Sequence, residues 1–462
     1  MRKKRGVTIV KRYQQSMLQG PLFINIVTYT IPIILTSLLQ LLFNAADLIV
    51  VGRFCGSVSV AAVGATGAIT NLIINLFMGL SIGAGVCMAH AMGSRSDEDI
   101  HRTVHTALPT AIVSGAVLTV VGVIFAGDLL ELMETPKNVL PLSTVYMRIY
   151  FGGIVFNMVY NFCASLLRAA GDTKSPLIFL TIAGVLNVIL NFVFVTAFHM
   201  NVAGVALATI ISQGVSAVLV VWALMRRQDA CRLHLNKMRF YSAQFRKIVQ
   251  HGLPAGIQGS MFSISNVAIQ SSVNSFGDVF MSGSASASNI EGFVYVCMNA
   301  FHQTAVNFTG QNVGAGQYKR VGKIAPLCLA CVTVVGIVAG GLVYLLGPQL
   351  LSIYITDSAE AIQYGVLRLG YIALPYFLLG LMDVTTGLLR GLGASVSPTI
   401  ISVLGICVFR VGWIYTIFQM PQYHTPEGLF VSYPISWVLT FAAQIIMFLV
   451  LYRRCLASYQ AK

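Results

Sequence analysis

Residues 166–176, LLRAAGDTKSP, return at 388–398 as LLRGLGASVSP, 222 positions later and with six of eleven identical. One such echo in an apolar chain can be chance. Here Pro32 and Asn44 also reappear as Pro254 and Asn266 at the same offset, and Gly93 reappears as Gly314 at 221. A shared offset is what a duplicated chain produces. A common helix ending would not explain the other two echoes. The sequence therefore divides into two halves, 21–226 and 248–452, joined by a basic linker at 227–247. A basic N-terminus (1–20) and a short tail (453–462) flank them.

The solvent of these halves follows from their polarity. Charged residues make up 10% of the chain and hydrophobic residues 56%, against about 25% charge in soluble domains. So few polar groups cannot cover a water-exposed surface, whereas lipid needs none. A spanning helix takes about 20 apolar residues, and twelve fit the length. The expected fold is all-α and polytopic, with six helices per half. They fall near 24–52, 57–89, 103–126, 137–167, 176–198 and 202–226, then 248–275, 279–309, 324–347, 358–387, 398–420 and 427–452. The MRKKR start looks like a signal-peptide n-region, but no short apolar run with a cleavage site follows, so the first segment is expected to be retained.

Loop charge sets the expected orientation. With the N-terminus cytoplasmic, the cytoplasmic segments hold 24 of the 29 Lys and Arg, and the opposite loops hold only Arg53 and Lys137. That bias is the positive-inside pattern. It accounts for the formal charge of +14 without nucleic acid. The linker reads as a contact with anionic membrane lipid. Six helices per half is even, so both halves enter the membrane alike, which is the layout of parallel-repeat transporters.

The chemistry lies in polar residues on apolar helices. Gln40, Asn44 and Asp47 share one face of the first helix, at spacings of four and three. Asn187 and Asn191 stand one turn apart on the fifth, and Thr209, Ser212 and Gln213 share a side of the sixth. In the second half Glu291, Asp383 and Arg410 are ionisable, and Asn266 and Gln270 are polar. A charge at the bilayer centre costs about 2.5–3.5 kcal/mol on the insertion scale, so such groups are paired, hydrated or ion-binding. Arg410 is expected to pair with one of the two acids. The asparagine carbonyls beside a carboxylate can coordinate Na⁺; the other reading is interhelical hydrogen bonding. In the repeated motif, Arg168 and Arg390 sit at negative helix ends, and Gly171 and Gly393 can close a helix left-handed. A gate contact between lobes is the alternative.

Other motifs carry little. His101 and His105 have metal-compatible spacing without a third ligand. Cys328 and Cys331 form a CxxC inside an apolar helix with no second pair. No GxxxxGK[ST] loop points to ATP, and no cofactor beyond a coupling ion is expected.

NAADLIVVGRFCG in the first helix, GQNVGAG after the eighth and the paired LLRAAGDTKSP and LLRGLGASVSP give the chain a resemblance to the MATE family (multidrug and toxic compound extrusion). The resemblance covers nearly the whole chain in order. It implies two six-helix lobes forming a V-shaped cleft. It also implies efflux of large, often cationic and aromatic compounds in exchange for Na⁺ or H⁺, by a protein that is not an enzyme and can work as a monomer in the plasma membrane. The family's N-lobe coupling acid matches Asp47, and its partners match Asn187, position 191 and Thr209. Relatives often carry an acid where this chain has Asn191, which leaves one clear carboxylate and the ion open. A coupling glutamate placed early in the seventh helix of one branch has no counterpart between Pro254 and Phe262. Two rival readings are a lipid-linked precursor flippase, which would need a large basic cavity, and a membrane-embedded enzyme, for which a nucleophile motif is absent.

Overall fold

A chain in hydrocarbon must satisfy each backbone N–H and C=O internally, and helices do so within one segment. The computed structural model describes residues 16–133, 135–356 and 358–460, and among them the only regular structure is helical. Six of the N-terminal basic residues (Arg2, Lys3, Lys4, Arg5, Lys11 and Arg12) and Lys462 lie outside the described residues.

The first half comprises α1 (Leu22–Phe54), α2 (Ser57–Ser94), α3 (Asp97–Ile124), the short α4 (Ala126–Leu132), α5 (Leu140–Gly152), α6 (Ile154–Ala169), α7 (Lys174–Phe192) and α8 (Asn201–Met225). The second comprises α9 (Ser242–Asn274), α10 (Asp278–Gly314), α11 (Tyr318–Leu345), the short α12 (Gly347–Ser352), α13 (Ala359–Tyr371), α14 (Tyr376–Gly391), α15 (Val396–Ser402), α16 (Phe409–Tyr415), α17 (Pro426–Phe430) and α18 (Ser432–Gln460). A π-helical segment extends α7 over Val193–Ala197, and another joins α15 to α16 over Val403–Val408.

Eight helical stretches among the described residues are long and apolar enough to cross a membrane alone. Two more spans are bent: α5 with α6 at 47° and α13 with α14 at 44°. The sequence pattern reads each of these as one continuous helix. The first breaks at the Gly152–Gly153 pair and the second ahead of Pro375, where a helix loses a donor or gains freedom. Helices α9 and α10, of 33 and 37 residues, have the length for a span but are more polar. They bring the number to the twelve expected. The chain is thus an all-α polytopic membrane protein.

The duplication is visible in backbone detail. Helix α6 closes with Gly171 N–H bonding the Arg168 carbonyl and Asp172 N–H bonding that of Leu167, both at 2.9 Å. Helix α14 closes with Gly393 N–H on Arg390 at 2.9 Å and Ala394 N–H on Leu389 at 3.0 Å. Gly171 and Gly393 have φ of 90° and 92°, a left-handed conformation that costs a residue with a Cβ roughly 1–2 kcal/mol. The expected left-handed closure is therefore present in both halves.

Contacts divide the chain into two compact units: Leu35–Gly256, and Met17–Ile34 with the chain from Ile257 onward. The divisions fall inside α1 and α9, each two residues past the repeated proline, Pro32 and Pro254, and not at the linker. The core of the first unit is built on Met88, Phe151, Met158, Phe162 and Leu167. The second has two clusters, one around Phe280, Phe418 and Trp437 and one around Tyr29, Phe308 and Leu388.

Candidate functional site

Helix α7 shows how the site in the first unit is placed. Ile178, Ile182, Val185, Ile189 and Phe192 recur every three or four residues and are 45–55% exposed, a stripe turned to lipid. Ala183, Gly184, Asn187 and Asn191 lie on the opposite, buried side. Gly184 lets α7 approach α1 closely: a Cβ there would fall on the ring of Phe43. One turn beyond Phe43 on α1 stands Asp47.

This approach closes a polar network across three helices. Asn191 donates from Nδ2 to Asp47 Oδ1 and, at 3.2 Å, to Asn187 Oδ1. Asn187 Nδ2 donates to Thr209 Oγ1 of α8 at 3.4 Å. Thr209 reaches Asp47 Oδ2 at 3.5 Å and its own helix's Val205 carbonyl at 2.9 Å. Asn187 and Asn191 are 6% and 0% exposed. The Asn191 amide spends its N–H groups on Asp47 and Asn187, which leaves its Oδ1 buried with no hydrogen-bond partner among the described residues. A buried acceptor without a donor fits a cation or a water. The donor set of carboxylate, two amide carbonyls and a hydroxyl is hard oxygen, which suits Na⁺ or a proton and not a thiophilic metal.

With Asn191 behind them and outside the lining, Asp47, Asn187 and Thr209 of this network line a cavity of about 100 Å³. That holds several waters or a small hydrated ion, and is well below the roughly 300–1,000 Å³ of a drug-sized pocket. Gln40 and Asn44 line it with Asp47, so the whole polar face of the first helix and its partners Asn187 and Thr209 come together. Asn157 and Tyr160 of α6, and Ser212, Gln213 and Ser216 of α8, line it as well. Asn157 and Tyr160 are absent from the sequence reading. Their signal was faint: Asn157 and Asn161 stand a turn apart in an otherwise apolar segment.

The second unit arranges its charges differently. Arg368 of α13 holds Glu291 of α10 in a two-pronged ion pair, Nε to Oε1 at 2.9 Å and Nη2 to Oε2 at 3.0 Å. Its Nη1 donates to Ser284 at 2.8 Å, and its guanidinium lies 5.5 Å from the Phe430 ring. Glu291 is 3% exposed. The expectation that Arg410 would be the partner of an acid is corrected here. Arg410 donates to Ser436 Oγ at 2.9 Å and stacks over Tyr433 at 4.0 Å and Trp437 at 5.6 Å, with no carboxylate in contact among the described residues. The reason is positional: Glu291 faces α13, whereas Arg410 faces α18.

Arg390 donates to Gln258 Oε1 at 2.8 Å and lies 3.3 Å from His302 Nε2. His302 Nδ1 is 2.7 Å from the Asp383 carbonyl. A carbonyl only accepts, so His302 carries its proton on Nδ1 and presents a lone pair to Arg390. The Asp383 carboxylate has no hydrogen-bond partner among the described residues. Asn266 and Gln270 are exposed, and Gln270 bonds Asn274 at 2.9 Å; neither joins a carboxylate. Arg168 closes α6 half-buried. His105 has both ring nitrogens engaged, on the His101 carbonyl and the His234 N–H.

A family model, MatE, matches the chain twice, over residues 32–193 and 254–416. The two matches begin at the repeated prolines. "Probable multidrug resistance protein YpnP" of Bacillus subtilis is 28% identical over 85% of this chain and 87% of its own length. "Probable multidrug resistance protein YoeA" of the same organism is 27% identical over 89% and 90%. A solved structure described as the outward-facing conformation of a multidrug resistance MATE family transporter superposes with a TM-score of 0.86 at 21% identity, covering 100% of both chains.

Proposed function

The chain belongs to the MatE family, and from that premise we propose that it is a secondary active antiporter exporting organic cations in exchange for Na⁺ or H⁺. The family consists of transporters, not enzymes, and the protein is a multi-pass membrane protein. The observation that carries the antiport reading is the Asp47 network. One carboxylate is wrapped in neutral oxygens and amides on three helices, with a buried acceptor to spare.

Such a site carries one uncompensated negative charge. A Na⁺ ion or a proton cancels that charge and satisfies the Asn191 carbonyl or alters the bond Asn191 makes. A cationic drug cancels the same charge, but the present cavity is too small to admit one. Ion and drug thus occupy the region in different states, which is the requirement for exchange by alternating access. With a single carboxylate, one monovalent ion is exchanged per monovalent cation. No net charge then moves, so the membrane potential, about 2.3 kcal/mol per charge at 100 mV, contributes nothing and the ion gradient is the power source. The loop-charge bias supports cytoplasmic termini in a plasma membrane, and a chain with two repeats supports a working monomer.

Ethidium efflux from proteoliposomes under imposed Na⁺ or H⁺ gradients tests this. One gradient should drive efflux by the unaltered protein, and Asp47→Asn should lose the drive while still folding. If neither gradient moves any cation, the antiporter reading fails and a lipid-linked precursor becomes the substrate to try.

A further inference from the structure

Helix α8 ends at Met225, α9 begins at Ser242, and the segment between them has an inner and an outer side of different chemistry. The inner side is fixed to α3. Arg227, 2% exposed, pairs with Asp229, which also accepts from Cys231 N–H at 3.2 Å. Burial works against the Asp229 charge, but the bonds and charge of Arg227 outweigh it and hold the carboxyl below its ordinary value. Cys231 and Leu233 are buried, and Leu233 N–H bonds the Leu224 carbonyl at 3.1 Å. His234 N–H donates to His105 at 3.0 Å, Tyr241 N–H to Thr106 at 3.3 Å, and Gln244 to Asp99 at 2.7 Å. A segment with one 3₁₀ turn is thereby held in place by side chains of α3.

The backbone of Arg239 is also held by α3, through the His105 carbonyl at 3.3 Å and Thr106 at 3.4 Å, but the side chains of the outer side make no such bonds among the described residues. Leu235, Met238, Phe240 and Phe245 are 45%, 38%, 45% and 38% exposed. The two phenylalanines pack edge to face at 5.6 Å, an apolar knob formed outside any core. Between and beside them Arg232, Lys237, Arg239, Arg246 and Lys247 are all exposed, and residues 230–247 contain no acid. Depth in the membrane is marked nearby. Trp222, 48% exposed on the last turn of α8, carries the Arg226 guanidinium 4.6 Å over its ring. An outward Trp capped by an Arg at a helix end is the usual occupant of the headgroup level. The segment starts there and returns to the bilayer sixteen residues later, so its outer side lies at the interface.

We propose that the outer face of residues 232–247 is a docking surface for anionic lipid, with the five cationic side chains on headgroup phosphates and the Phe240–Phe245 knob seated between acyl chains. A zwitterionic surface offers the apolar seat without the charge. Amphipathic, acid-free segments of this kind bind according to both buried apolar area and lipid charge. The inner contacts keep the segment rigid, so docking requires little ordering. The proposal rests on the spans alone and is independent of what the protein transports.

The test uses the full chain in nanodiscs of phosphatidylcholine, with or without phosphatidylglycerol. Phe240→Trp adds an indole, and the signal of the three native Trp is subtracted with the unsubstituted protein. The added indole should be quenched by brominated acyl chains and lose access to aqueous acrylamide several-fold when phosphatidylglycerol is present. High salt should reverse part of that, and replacing the five exposed Lys and Arg with Gln should remove it with the melting temperature unchanged. Hydrogen exchange at 235–247 in the unsubstituted protein should slow in the same discs. Equal acrylamide access in both kinds of disc overturns the proposal. So does lipid quenching that survives loss of all five charges, because headgroup charge would then play no part.

Discussion

Arg168 and Arg390 occupy equivalent places at the ends of α6 and α14, each three residues ahead of a glycine with φ near 90°. The hydrogen bonds that close the two helices match almost atom for atom. Beyond the backbone the likeness stops. Asp172 follows the first closure and caps α7, accepting from Ser175 N–H at 2.9 Å and Ser175 Oγ at 2.6 Å. At the same offset the second half has Ala394. Asp47 corresponds to Ile269, and Asn187 and Asn191 to Phe409 and Trp413. In the other direction Glu291 corresponds to Ile69 and Asp383 to Asn161. Duplication preserved the devices that shape the chain, such as closures, bends and prolines, while the buried polar chemistry diverged. The first unit keeps a carboxylate among neutral oxygens; the second holds one against a guanidinium. The first arrangement can take up a cation, and the second is already neutralised.

The largest expected effect follows from that contrast. Glu291→Ala leaves Arg368 buried without its partner and should cost about 3–5 kcal/mol. The double change Glu291→Leu with Arg368→Met should recover most of the loss in a thermal melt in detergent. If the double variant stays as unstable as the single one, the pair does more than neutralise itself. Next in size is Gly184→Val, which places methyl groups on the Phe43 ring. Overpacking of this kind costs about 1–3 kcal/mol, and by moving α7 off α1 it should also weaken gradient-driven efflux. Efflux that survives at the original rate would show that the bond from Asn191 to Asp47 is dispensable.

Asp172→Ala removes two hydrogen bonds, worth about 1 kcal/mol each, and should lower the melting temperature. Ala394→Asp places a carboxylate three residues ahead of Ser397, the counterpart of Ser175, and should raise the melting temperature by restoring the matching bonds. The smallest effect belongs to the linker. Asp229 titrates lower in the folded chain than in the unfolded one. Its contribution is therefore complete above the unfolded value of about 3.9 and disappears as pH falls through the folded one. Hydrogen exchange at Cys231 should quicken over that acid range, and in Asp229→Asn it should be quick at every pH.

The parts legible in the sequence were those set by short-range periodicity. Twelve apolar runs, the offset of 222 and the one-turn spacing of Asn187 and Asn191 are local or repeated signals. Asp47 stood out because a carboxylate flanked by Gln40 and Asn44 makes a whole polar face. What escaped depends on which helix neighbours which. Arg368 lies 77 residues from Glu291, and Arg410 seemed the better mate because nothing in a sequence states that α10 packs on α13. Asn157 and Tyr160 reach the cavity from α6, a helix set at 47° to α5 by a break that the apolar pattern runs straight through. His302 carries no signal in the sequence, because its partners, Arg390 and the Asp383 carbonyl, lie more than 80 residues away.

Asp383 is the strongest challenge to a division of labour between the units, since its carboxylate is also buried and has no hydrogen-bond partner among the described residues. The decisive measurement sets Asp47→Asn beside Asp383→Asn in the same proteoliposomes, with ethidium efflux driven by whichever ion gradient powers the unaltered protein. The account predicts that the first variant loses coupling entirely and that the second retains most of the rate. Loss in the second with coupling intact in the first would place the ion in the other unit and contradict it.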